Sequence, residues 1–197
     1  RWSRNVISEI TGSTYPDEIV VVGGHIDSWD VGQGAHDDGG GCIAAWEVLR
    51  LLNELNLKPK RTIRCVMWTN EENGLRGSKA YRDMYIDEMN NHILAIESDG
   101  GVFSPEGFGF TGSKKGKEII QDIHSLMKTI RANKLTDGGR AADIAALNDE
   151  GVPVMSLKVD NKKYFWYHHT NADTFDKVDF YEFNRCVAAM TIMAYVV

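Results

Sequence analysis

The sequence predicts an α/β fold: a three-layer sandwich around a mixed, mostly parallel central sheet, opened by an antiparallel strand pair. Three observations point to it. Short apolar runs rich in β-branched residues alternate with stretches whose apolar residues recur at helical spacing. The run Ile19 to Val22 is apolar throughout, as expected of a strand buried on both faces. The first strand instead alternates apolar and polar residues, and a Tyr15-Pro16-Asp17 turn separates it from the second.

Asn5 to Thr11 is the alternating strand and Ile19 to Val22 the buried one, so the pair reads as a hairpin. Between Asp38 and Asn56, residues Ala44, Val48, Leu51, Leu52 and Leu55 fall on one helical stripe, and Pro59 ends that helix. Arg61 to Trp68 is a central strand, Leu75 to Met89 a helix, and Ile93 to Ile96 a short strand. Phe108 to Thr111 is a strand leading into a helix over 115–130, with Ile119, Ile120, Ile123 and Met127 on its stripe. Ala141 to Asn148 is a short helix stopped by Gly151, and Val152 to Val159 is a strand. Phe180, Phe183, Val187, Met190 and Ala194 mark an amphipathic terminal helix. No repeat, low-complexity stretch or linker divides the 197 residues, which suits one domain with a sizeable core.

Hydrophobic residues make up 43% of the chain, which sets it apart from disordered sequences. The longest apolar runs, Ile19 to Val22 and Val187 to Met190, fall far short of the roughly 18 residues a membrane span needs. The net charge of −6 argues against a nucleic-acid partner, which requires basic patches. Cys42, Cys65 and Cys186 lie far apart in apolar stretches, so buried free thiols are expected and not a zinc ribbon or disulfide framework.

Five polar clusters follow the strand ends, where open α/β sheets place their ligand sites. The first is Gly23-Gly24-His25-Ile26-Asp27, in which a carboxylate two residues from the histidine can orient a metal-binding imidazole. The second is Gly34-Ala35-His36-Asp37-Asp38 followed by Gly39, Gly40 and Gly41. Its paired acids read as helix caps or as ligands. Three glycines at a helix start make sense where something must approach the backbone closely. Glu71-Glu72 reads either as a dipole-matched helix start or as a metal ligand beside a proton carrier. Glu97-Ser98-Asp99 and Tyr164 to Thr170, with His168 and His169, complete the set. Hard oxygen donors mixed with histidines suit zinc, with manganese or cobalt as lesser fits.

In chain order, Gly-Gly-His-x-Asp at 23–27, Gly-Ala-x-Asp-Asp at 34–38, Glu-Glu-x-Gly at 71–74, Ser-Asp at 98–99 and His-Thr at 169–170 carry a resemblance. Together they resemble the motifs of the di-zinc exopeptidases of the M28 aminopeptidase/carboxypeptidase family, over nearly the whole chain. The stretches 25–35 and 164–169 carry a narrower match within that family. The resemblance implies a zinc-exopeptidase fold and two Zn2+ ions. His25 and Asp99 would hold one, Glu72 and His169 the other, and Asp37 would bridge them. The Asp37-Asp38 peptide is often cis in the family. Asp27 would orient His25, and Glu71 would be the general base for a water held between the metals. The family often has Tyr before the last histidine; here His168 would take its task of assisting the oxyanion. Arg140 and Asp143 are candidates to hold the free end of a small peptide substrate, with Asp143 equally readable as a helix cap. Trp29, Phe165, Trp166 and Tyr167 read as a pocket rim or as core.

The resemblance further implies hydrolysis of dipeptides or short peptides, an extracellular or lysosomal setting, and a homodimer. The chain starts at Arg1, and the resemblance enters the family domain at the opening strands. The expectation is therefore a catalytic domain over 1–197, cut from a longer peptidase whose upstream strands and accessory region lie outside it. Two alternatives stand beside this reading. One is a glutaminyl cyclase-like enzyme with a single zinc, which would lack some of the five ligands. The other is a non-catalytic binding or dimerisation homologue, against which the intact Glu71 argues.

Overall fold

The structure is a computed structural model describing residues 2–197. Seven strands form one sheet: β1 (Val6–Ile10), β2 (Tyr15–His25), β3 (Arg61–Trp68), β4 (His92–Glu97), β5 (Pro105–Thr111), β6 (Lys134–Asp137) and β7 (Val154–Val159). Their order across the sheet is β1-β3-β2-β4-β7-β5-β6. The ladders β2–β3, β2–β4, β4–β7 and β5–β6 are parallel, while β1–β3 and β5–β7 are antiparallel. The sheet is thus mixed and mostly parallel, as the residue pattern indicates.

Six helices flank it: α1 (Gly40–Glu54), α2 (Arg76–Met84), α3 (Lys114–His124), α4 (Ala145–Asn148), α5 (Tyr164–Tyr167) and α6 (Phe180–Val196). Strand β2 shows why layers form on both faces. Val20 and Val22 point into a core shared with α1 and α6, through Val48, Leu52, Val187 and Met190. Ile19 and Val21 point into a second core with Trp68, Tyr81 and Leu147. A strand whose successive side chains face opposite ways needs apolar residues at every position to fill both. Helix α6 starts where the Asp179 carboxylate accepts hydrogen bonds from the backbone N–H groups of Tyr181 and Glu182, at 2.8 and 3.0 Å.

Several boundaries differ from the sequence pattern. Strand β1 is antiparallel to its neighbour as expected, but that neighbour is β3, and Tyr15 to Asp17 already belong to β2. Both edges of β2 are taken by parallel partners, which leaves β1 only the outer edge of β3. The connection crosses the start of β3, where Ser13 and Thr14 N–H groups donate to the Pro59 and Lys60 carbonyls. The long helix expected over 115–130 tightens into a 3-10 turn after His124, and α2 does the same beyond Met84. The short polar strand β6 has no sequence signal, because its four residues carry no apolar alternation. All three cysteines are buried and free.

Two buried histidines away from the strand ends set an acid sensitivity. His92 lies 2.8 Å from the Tyr81 hydroxyl and 3.0 Å from the Glu88 carbonyl. His124 lies 2.7 Å from the Lys134 carbonyl. Burial disfavours their charged forms and lowers both pKa values below the ordinary 6.5. The unfolded chain therefore takes up these protons first. Their contribution to stability is full above the unfolded value and is lost as pH falls from there toward the folded values. The urea midpoint is expected to fall between about pH 7 and pH 5, and less steeply in His92→Gln and His124→Gln. An unchanged slope in both variants would remove these two residues as the cause.

Candidate metal centre

The chemistry-bearing side chains gather where the parallel strands end. His25 is the last residue of β2 and is fully buried. Asp37 and Asp38 follow it in an irregular turn, Ala35–Gly39, ahead of α1, and their peptide bond is cis. Glu71 and Glu72 lie just past β3, Asp99 just past β4, and His168 and His169 just past α5. His25 Nε2 lies 3.2 Å from Asp37 and 3.4 Å from Asp99. His169 Nε2 lies 2.9 Å from Glu72 and 3.5 Å from Asp37. Asp37 thus stands between two groups, His25 with Asp99 and His169 with Glu72. The five residues singled out as ligands come together from across 145 positions of sequence, between 25 and 169.

The donor set fits a divalent metal. Oδ2 of Asp37 and Oε1 of Glu72 are buried and have no hydrogen-bond partner among the described residues. Buried carboxylate oxygens are costly unless something positive satisfies them. Histidine nitrogens among carboxylate oxygens form the mixture that zinc accepts. Donor atoms of His25, Asp37 and Glu72 lie within 4.8 Å of one another, and so do those of His25, Asp38 and Asp99, and of Asp37, His168 and His169. Burial works against a charge on His25, yet hydrogen bonds to Asp37 and Asp99 raise its proton affinity far above normal. Burial likewise resists charge on Asp37, but the bond to His25 holds its pKa below the ordinary carboxylate value. The carboxylates around His25 therefore favour a positive charge in the pocket.

Surrounding groups hold these candidate ligands in place. His25 Nδ1 is 2.8 Å from the backbone carbonyl of Asp27 and 3.9 Å from its carboxylate. The expected orienting contact thus comes from the Asp27 main chain. The Asp27 carboxylate instead accepts the backbone N–H of Glu71 at 2.9 Å, tying the loop after β3 to the end of β2. Asp38 is fully buried, and burial pushes its pKa well up. One of its oxygens accepts from His25 N at 3.0 Å and the other from Gly41 N at 3.1 Å. A Cβ on Gly41 would run into Asp38 and the Ser98 carbonyl, so the close approach that its glycine permits is made by the protein itself.

Asp173 carries no signal in the sequence motifs, yet it braces the centre. Its carboxylate accepts from the backbone N–H groups of His36 and Asp37, at 2.8 and 3.1 Å. Only the fold reveals this, because the partners are more than 130 residues apart. The imidazole of His169 lies between Trp29 and His168, with ring centroids 4.5 and 3.7 Å away. His169 also adopts a left-handed backbone at φ 58°, a conformation that costs a non-glycine residue energy and clusters at functional sites. His168 Nε2 is 3.6 Å from Asp37.

Glu71 is half-buried, and burial raises its pKa to about 6. Phe165 and Trp166 are exposed beside the histidines, whereas Tyr167 stacks on His36. Arg140 reaches the cleft beside Asp99. Asp143 is fully buried, with neither carboxylate oxygen in a hydrogen bond at normal distance and geometry among the described residues, and it does not cap a helix: the residue before α4 is Ile144. The backbone N–H groups of Asp143 and Ile144 donate to Glu97 at 3.3 and 3.0 Å. Burial pushes the Asp143 pKa up to about 7.

Comparison with known proteins returns peptidases. Carboxypeptidase Q of Mus musculus is 44% identical over 195 residues, covering 99% of this chain and 42% of that protein. Carboxypeptidase Q of Homo sapiens is also 44% identical, with 41% of it covered. The chain thus spans about two fifths of the length of these relatives. The peptidase M28 precursor of Shewanella amazonensis superposes with a TM-score of 0.88 at 36% identity, over 98% of this chain and 44% of that one. A zinc aminopeptidase of Bacillus subtilis, at 20% identity and a TM-score of 0.77, shares the fold. The family model "Peptidase family M28" matches residues 5–194, and this chain belongs to that family.

Proposed function

We propose that residues 1–197 form the catalytic domain of a binuclear zinc exopeptidase that hydrolyses dipeptides or short peptides. The observation that carries this reading is the convergence of His25, Asp37, Glu72, Asp99 and His169 around two unsatisfied buried carboxylate oxygens. In it, His25 and Asp99 would hold one zinc and Glu72 and His169 the other, with Asp37 within reach of both pairs. Bound zinc supplies Lewis acidity, which lowers the pKa of water and polarises a carbonyl.

The protein's own groups do the rest. Glu71 takes a proton from the attacking water and gives it to the leaving amine. Burial makes it a stronger base than an ordinary carboxylate, which suits both transfers near neutral pH. Its main chain is fixed by Asp27, so the carboxylate is presented from a braced turn. His168, beside Asp37 and stacked on His169, donates a hydrogen bond to the oxygen on which negative charge develops. With all five ligand positions filled, a single-metal cyclase is the weaker reading. By the same family resemblance we assign the protein an extracellular or lysosomal setting and a homodimeric state. Among the described residues, no helix is long and apolar enough to cross a membrane.

Exopeptidase character is tested with dipeptides blocked at one end or the other. The expected outcome is loss of cleavage with one block and retention with the other. Equal cleavage of both would rule out recognition of a free terminus.

A further inference from the structure

The two histidines proposed as ligands are held in different ways. His25 is fully buried, and its Nδ1 lies 2.8 Å from the Asp27 carbonyl. The side chain of His169 is 35% exposed, against 6% for Asp37 and 4% for Glu72 beside it. Its Nε2 faces Glu72 at 2.9 Å, and among the described residues no hydrogen bond reaches its Nδ1. A metal-binding imidazole ordinarily has its second nitrogen held, which fixes the ring. The ring torsion of histidine is broad, so the side chain does not set its own plane.

A stack stands where that hydrogen bond would be. The indole of Trp29 lies on the His169 ring, with 4.5 Å between centroids and 13° between planes. His168 covers the other face at 3.7 Å, but it is the neighbouring residue and moves with the same segment. Trp29 comes from the loop after β2, remote in sequence, and is an independent reference for the ring plane.

That loop is pinned to the segment carrying His169 through the main chain. Gln33 N–H donates to the Asp173 carbonyl at 2.9 Å, and Phe175 N–H donates to the Gln33 side-chain oxygen at 3.0 Å. At Gly32 a Cβ would come within 2.7 Å of the Thr170 carbonyl oxygen, so glycine lets the two backbones meet. Ahead of the histidines, Tyr167 stacks on His36 at 5.5 Å. These contacts set where the His169 backbone lies and leave the turn of its ring to Trp29.

We propose that Trp29 is a positioning residue for one of the two metal sites. It fixes the plane of the His169 imidazole and so sets the affinity of the ion shared by Glu72 and His169, but not that of the ion shared by His25 and Asp99. The inference rests on the binuclear reading above and adds to it a residue outside the ligand set.

The test titrates zinc into the metal-free chain in competition with a chelating dye. Trp29→Leu is expected to weaken one ion by about 10–100-fold, the cost of removing a group that orients a ligand, and to leave the other as in wild type. Trp29→Phe keeps a flat ring over His169 and should recover most of the loss. Co2+ loading adds a spectroscopic readout, because its visible absorption follows ligand geometry. The absorption of one Co2+ should change in Trp29→Leu and return in Trp29→Phe. Equal weakening of both ions, no weakening, an unchanged Co2+ spectrum, or Trp29→Phe no better than Trp29→Leu overturns the proposal. Trp29 is 40% exposed, and its loop keeps its main-chain hydrogen bonds in these variants. Should Trp29→Leu still fail to fold, indole emission decides. A zinc-dependent change in wild type that Trp29→Phe lacks supports the stack, and the same change in both overturns it. If the wild-type chain binds fewer than two ions, the binuclear reading fails on its own. The stack is then judged by NMR of the metal-free chain. A His169 ring-proton shift that Trp29→Leu removes and Trp29→Phe retains supports it, and a shift that neither variant alters overturns it.

Discussion

Glu71→Gln is expected to cut peptide turnover by roughly 10²–10⁴-fold while zinc stays bound. The amide matches the carboxylate in shape and cannot accept the proton. The Glu71 main-chain N–H donates to the Asp27 carboxylate, so the turn keeps its place in the variant. Glu72, the neighbouring ligand, keeps its contact with His169. The decisive pair of measurements is kcat/KM and zinc content on the same preparation. Turnover within about tenfold of wild type would remove Glu71 as the base. Loss of zinc along with activity would make it a ligand instead.

Asp37→Ala is expected to lower zinc content from about two ions per chain to one or none, and to abolish turnover. Asp37 lies within reach of both histidine groups, at 3.2 Å from His25 and 3.5 Å from His169. Residues that merely orient ligands cost 10–100-fold in metal affinity when removed, so a shared ligand should cost at least about 100-fold. Because metal binds the folded chain, the variant should also lose the Tm gain that added zinc produces in wild type. Elemental analysis finding fewer than two ions in pure wild-type protein would sink the binuclear reading. Two ions retained in Asp37→Ala would sink the bridging role.

Much of the candidate site was legible because its residues follow the ends of strands. The apolar runs ending at Val22, Trp68 and Ile96 are each followed by acids or a histidine within a few residues. An open parallel sheet must bring those ends to one edge. The supporting groups were not legible. Asp173 acts on His36 and Asp37 through backbone N–H groups far away in sequence, and nothing local marks it. Asp27 could be placed near His25 by spacing alone. That its carboxylate serves Glu71 depends on how the loop after β3 settles.

The strand pairing divides in the same way. Residue periodicity determined that Ile19 to Val22 is a strand buried on both faces, since local sequence decides which faces are apolar. It could not determine that β1 lies beside β3, because pairing depends on which edges other strands leave free. Likewise the sequence by itself determined the donor types and their order along the chain, since these are properties of single residues. Only the tertiary structure decided which donors meet, which oxygens stay unpartnered, and that Trp29 lies on the ring of His169. Those are distances between segments remote in sequence, set by how helices pack on both faces of the sheet.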